Sequence, residues 1–85
     1  MVSVFVLIKT KTGKNKEVFE GLSKVLKTRH RHMVFGAYDI VVKIKNRTND
    51  DLIDIVNTKI KSNPSVNAVA VLQCWDEKEG TIEIV

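Results

Sequence analysis

One joint limits what this chain can fold into more than any other feature. The apolar run Met33-Val34-Phe35 breaks at Gly36-Ala37-Tyr38-Asp39 and resumes as Ile40-Val41-Val42-Lys43-Ile44. A glycine and an acid between two β-prone runs predict two strands joined by a turn. That turn decides how the strands pair, and it sets a carboxylate and a phenol at the mouth of a sheet. Two descriptions of it stay open. In one, it is a tight hairpin in which Gly36 supplies an unusual φ and Asp39 accepts from nearby backbone N–H groups. In the other, free N–H groups hold a ligand carboxylate while Asp39 pairs with its ammonium.

The rest of the chain supplies partners for these strands. Val2 to Lys9 is predicted as a strand, and Thr10 to Gly13 as a turn with Gly13 free to take positive φ. Lys14 to about Thr28 is predicted as a helix, with Val18, Phe19, Leu22, Val25 and Leu26 on one stripe. Gly21 weakens it by about 1 kcal/mol relative to alanine unless it serves close packing on the sheet. The joined strands are Arg31 to Phe35 and Tyr38 to Lys45, followed by a loop over Asn46 to Asn49. Thr48 or Asn49 caps a second helix, where Asp50 and Asp51 suit the positive end of the dipole. Its buried stripe is Leu52, Ile53, Val56 and Ile60, and Pro64 prevents its continuation. Val66 to about Trp75 is a further strand, Asp76 to Gly80 a charged turn, and Thr81 to Val85 a short closing strand. The order is β-α-β-β-α-β with a C-terminal extra strand. It predicts an α+β, ferredoxin-like sandwich with an antiparallel sheet whose central strands are the first and third.

Alternation within the strands adds a second constraint. Val2, Val4, Val6 and Ile8 share one face of the first strand, while Phe5 and Leu7 share the other. In the fourth, Ala68, Ala70 and Leu72 oppose Val69 and Val71. Two helices cover only one face, and an antiparallel sheet with one wet face would be polar there. A second copy packed sheet on sheet is therefore expected. Eighty-five residues make one domain, 1–85, small enough to gain from such an association.

Other chemistry finds little support. The net charge of +4 suits a solvated surface, and no basic recognition helix or RNP-type aromatic run points to nucleic acid. The single Cys74 fits a reducing compartment, and Val2–Ile8 is too short to span a bilayer; a cytoplasmic location is expected. His30 and His32 share a strand face, but no HxxxH or CxxC spacing accompanies them, so no metal is expected. Lys11-Thr12-Gly13-Lys14 lacks phosphate-loop spacing. Ser3, Ser23, Ser62 and Ser65 have no His-Asp partners in sequence, which gives no basis for nucleophilic catalysis. Trp75 is expected at a subunit seam.

The stretch Gly36-Ala37-Tyr38-Asp39-Ile40-Val41-Val42-Lys43-Ile44, then Asp51-Leu52 opening a helix, then Asn63-Pro64-Ser65-Val66, resembles the effector-binding (RAM) domain of Lrp/AsnC transcription regulators. The resemblance runs from Val2 to about Cys74. It implies a non-enzymatic amino-acid sensing module without cofactor that dimerises through its sheets and assembles into rings such as octamers. It places Gly36, Ala37, Tyr38 and Asp39 in the effector-contacting turn, and Val69 and Val71 where many members carry threonines. The loss of those hydroxyls counts against a polar effector and favours a branched, apolar amino acid or no ligand at all. The chain starts at the first strand of the module, so it resembles the forms without a helix-turn-helix domain. Such a form is expected to avoid direct DNA binding and to act by mixing with full-length regulators. Two rival functions stay open: a small dimeric αβ-barrel enzyme of the monooxygenase or isomerase type, with His32 and Trp75 as its only polar candidates, and an ACT-like regulatory domain with its site at Thr10 to Gly13.

Overall fold

The computed structural model describes residues 2–26 and 30–73, apart from the side chain of Val25. Strand β1 spans Val2–Thr10, helix α1 Asn15–Leu26, β2 Arg31–Met33, β3 Ile40–Asn46, helix α2 Asn49–Ile55 and β4 Val66–Gln73. The four strands form one antiparallel sheet in the order β2-β3-β1-β4, so β1 and β3 are central. This is the expected α+β, ferredoxin-like order. The expected strand at Thr81–Val85 lies outside the described residues, as do Cys74 and Trp75.

The apolar alternation explains the layers. Val4 pairs with Ile44, Val6 with Val42, and Ile8 with Ile40, so these six share the helix-facing side of the sheet. They are buried with Val18 and Leu22 of α1, Leu52 of α2, and Val56 and Ile60 beyond it. Arg31 ties β2 to α1: its guanidinium lies 4.0 Å from the Phe19 ring centroid, and Nη1 donates to the Phe19 carbonyl at 2.9 Å.

Helix α2 begins at Thr48, whose hydroxyl accepts from the Asp51 N–H at 3.1 Å. After Ile55 the helix widens into a π-helical turn, Val56–Ile60, closed by the Lys61 N–H donating to the Val56 carbonyl five residues back. The widening alters the expected stripe. Leu52, Val56 and Ile60, each four apart, stay buried, whereas Ile53 is 55% exposed and Ile55 packs against the core instead. Gly21 is not a close-packing device, because a Cβ built there meets nothing within 4 Å.

The joint between β2 and β3 is broader than a tight hairpin. The expected strands Arg31–Phe35 and Tyr38–Lys45 are cut back to Arg31–Met33 and Ile40–Asn46. A single bond, Val34 N–H to the Asp39 carbonyl at 2.8 Å, closes a loop over residues 35–38. Gly36 sits in this loop at φ 128°, and Phe35 is fully exposed at its tip. Asp39 is held from both sides there, its carbonyl by the Val34 N–H and its own N–H by the Ile8 carbonyl of β1.

Candidate functional site

Asp39 stands one residue before β3, opposite the end of β1. Its backbone N–H donates to the Ile8 carbonyl at 2.9 Å. Its Oδ2 accepts from the Thr10 N–H at 2.8 Å and from the Thr10 hydroxyl at 3.0 Å. The carboxylate thus takes the place of a ladder carbonyl and carries the sheet one step past its last backbone pair. Thr10 belongs to β1, paired with Val66 of β4, and not to the turn expected there. Lys9 Nζ approaches Oδ2 at 3.8 Å, a partly exposed pair of small energetic weight. The Thr10 backbone hydrogen bond above all, with its hydroxyl and Lys9 behind it, outweighs desolvation and holds the Asp39 carboxyl below its ordinary value. Asp39 is therefore an anion whose second oxygen, Oδ1, has no hydrogen-bond partner among the described residues.

The preceding residues present backbone donors. The N–H groups of Gly36, Ala37 and Tyr38 make no backbone hydrogen bond among the described residues. Gly36 and Ala37 are exposed and Tyr38 is half-buried. Successive unpaired N–H groups in a turn with a left-handed residue suit an anion.

Asp39 also borders a recess of about 310 Å³, together with Lys9, Thr10, Lys11, Gly13 and Asn67. Gly13 takes φ 79° there, and the Lys14 N–H closes the turn on the Lys11 carbonyl. The two turns singled out from the sequence, at Gly36–Asp39 and at Thr10–Gly13, therefore meet at one corner of the sheet, joined through Thr10 and Asp39.

Val69 and Val71 are placed elsewhere. Val69 pairs with Ile8 and Val71 with Val6, which sets both on the helix-facing side of β4, across β1 from the loop. Val69 packs against the core. Val71 lines a different recess with Val4, Leu52 and Val56. Sequence reasoning placed Thr10 in the rival turn and missed its role as the anchor of Asp39. Thr10 lies 29 positions away, and no local pattern links the two.

The outer face of the sheet is apolar at its centre. Phe5 pairs with Leu72, Leu7 with both Val41 and Ala70, and Leu72 is 42% exposed. Lys43 lies over the Phe5 ring at 5.6 Å. His32 pairs with Val41 and so shares this face at its β2 margin. Ser23 and Ser62 donate to carbonyls of their own helical turns, and Ser65 to Glu17. Among the described residues no three His, Cys, Asp or Glu side chains could hold a metal, and no helix is long and apolar enough to cross a membrane.

Residues 3–77 match the profile of the Lrp/AsnC ligand binding domain. No curated protein matches the sequence. Among solved structures, the chain is similar to FFRP-DM1, at 32% identity over 86% of this chain and 97% of that one, with a TM-score of 0.75. It is also similar to PHS023 from Pyrococcus horikoshii, at 31% identity over 91% and 93% of the two chains, with a TM-score of 0.74. AsnC of E. coli shares the fold at 18% identity and a TM-score of 0.82; the match covers 99% of this chain and 56% of that one.

Proposed function

The chain belongs to the Lrp/AsnC ligand-binding domain family, and we propose that it is a non-enzymatic amino-acid sensor whose effector site is the corner built by Gly36, Ala37, Tyr38 and Asp39. One observation supports this reading: among the described residues, three successive backbone N–H groups without partners stand next to a carboxylate that is held ionised and has one oxygen free. The N–H groups receive the effector carboxylate, and Asp39 Oδ1 receives its ammonium. Charge and geometry then select a zwitterion over a simple anion or cation. Val69 and Val71, turned to the helix side, do not serve this corner. The effector's side chain instead meets the exposed Phe35 and a neighbouring subunit. Because Lys11 and Gly13 border the same recess as Asp39, an ACT-like site and a site at the loop are two edges of one location.

Assembly completes the proposal. The apolar centre of the outer face, Phe5, Leu7, Val41, Ala70 and Leu72, supports a dimer formed sheet on sheet. Effector bound at a subunit boundary then shifts association into larger rings. The same face would admit full-length regulators of the family as partners in a cytoplasmic setting.

Isothermal titration with each of the twenty amino acids, paired with sedimentation velocity, tests the reading. Heat from one small apolar amino acid and a matching change in sedimentation are expected. Silence from all twenty with unchanged sedimentation removes the sensor. Asp39→Asn keeps an oxygen for the Thr10 N–H but loses the charge, so it should fold and fail to bind. Retained affinity would reduce Asp39 to a shaping role.

A further inference from the structure

The run from Lys9 to Lys16 carries four lysines and no acid. Such a run is most often a solvated face, but here the fold wraps it around a hollow. Lys9 stands near the end of β1, Lys11 to Gly13 form the turn, and Lys14 and Lys16 lie at the start of α1. The recess of about 310 Å³ beside Asp39 is bordered by Lys9, Lys11, Thr12 and Gly13, and by Asn15 and Asn67. Acceptors are scarce at this corner. Asp39 is the one acid bordering the recess among the described residues, and its Oδ2 is already bonded to Thr10 and paired with Lys9. Lys11 makes no ion pair, and the N–H groups of Thr12 and Gly13 make no hydrogen bond, among the described residues. A hollow lined mainly by one sign of charge concentrates counter-ions. Two successive free N–H groups at a left-handed glycine suit the same kind of ligand.

We propose that this recess is a second binding site, which takes the terminal phosphate of a small phosphorylated molecule. Lys9 and Lys11 supply the charge, while the Thr12 hydroxyl, the turn N–H groups and the amides of Asn15 and Asn67 supply neutral donors. Its size, about 310 Å³, is at the low end for small-molecule sites. A terminal phosphate offers three acceptor oxygens to donors that converge in a hollow. A nucleic-acid phosphodiester offers fewer, and its chain runs on along a surface. Lys11-Thr12-Gly13-Lys14 lacks phosphate-loop spacing, so a lysine-lined turn and not a nucleotide loop does the binding. The site lies beside the loop at Gly36–Tyr38 but uses other donors, so it stands whether or not that loop takes an amino acid.

Amide NMR on the full chain, titrated with inorganic phosphate at constant ionic strength and about pH 7.5, tests this; phosphate is then mostly dianionic. Saturable shifts of the Thr12, Gly13 and Asn67 amides are expected, and none when chloride replaces phosphate at the same ionic strength. Lys11→Gln should weaken phosphate binding about tenfold, the loss of one charged hydrogen bond. Lys45→Gln removes the same charge at the other end of β3, opposite Ser3, and should leave binding unchanged. Shifts that fail to saturate, or that chloride reproduces, would overturn the site. So would equal weakening by the two substitutions, which would reduce the lysine run to a solvated face. Shifts confined to Gly36–Tyr38 would place the anion in the effector loop instead. Tighter binding of a short single-stranded oligonucleotide through the same amides would replace the small ligand by a nucleic acid.

Discussion

Asp39 and Thr10 fasten two turns that the sequence separates by 29 positions. The carboxylate accepts both donors of Thr10, and Thr10 is itself only 4% exposed. Asp39→Ala leaves the Thr10 donors unmatched and should cost about 1–3 kcal/mol, read from urea denaturation. Thr10→Val removes one hydroxyl bond and keeps the shape, for about 1 kcal/mol. The pH dependence has a definite sign. The folded carboxyl titrates below the unfolded one, so on acidification the unfolded chain binds its proton first. The stabilisation is therefore complete above the unfolded value of about 3.9 and is lost as pH falls through the folded value. Stability measured between pH 6 and 2.5 should fall less steeply in Asp39→Asn than in the parent chain. At Gly36, φ 128° is a backbone state that side-chain-bearing residues avoid. A Cβ there meets no atom within 4 Å, so the cost of Gly36→Ala, about 1–2 kcal/mol, comes from conformation and not from a clash.

The helices separate propensity from packing. Gly21 lies within α1 with open space around a built Cβ, so Gly21→Ala should raise stability by about 1 kcal/mol and lift the thermal midpoint. A loss would mean that this face of α1 touches a partner. Thr48→Ala should cost about 1 kcal/mol by removing the cap of the Asp51 N–H. The elements themselves were legible. Val4, Val6 and Ile8 alternate with a period of two, and Val18 and Leu22 keep helical spacing; both sets are buried. The outward turn of Ile53 was not legible, because a 3.6-residue period is assumed when a stripe is drawn and the π-helical turn changes that period after Ile55. Nor was the width of the loop at Gly36. A glycine and an acid signal a turn, but the length of this one is set by the bonds of Asp39 to Val34 and to β1.

At the scale of the molecule, one face of the sheet is covered by two helices except beside Val71 of β4, and the other is apolar at its centre. Phe5 is the test residue for that outer face, since it pairs with Leu72 and Lys43 and takes no part in the helix-side core. Phe5→Glu should shift the sedimentation of the chain to the monomer at micromolar concentration and lower its thermal midpoint. An unchanged assembly would place the subunit contact elsewhere. The sequence by itself determined the element order, the sheet with β1 and β3 at its centre, and the two-sided apolar strands. These follow from local periodicity and from the rule that antiparallel neighbours place alternate residues on the same face. It marked Gly36–Asp39 as the place to look and left open what Asp39 binds. Only the tertiary structure decided that Asp39 is bonded to Thr10, that Val71 faces a recess away from the loop, and that the two candidate turns are one corner. The reason is that these are pairings between distant segments, fixed by sheet register and crossover geometry. A periodicity of two or 3.6 residues carries no information about which strand end will meet which loop.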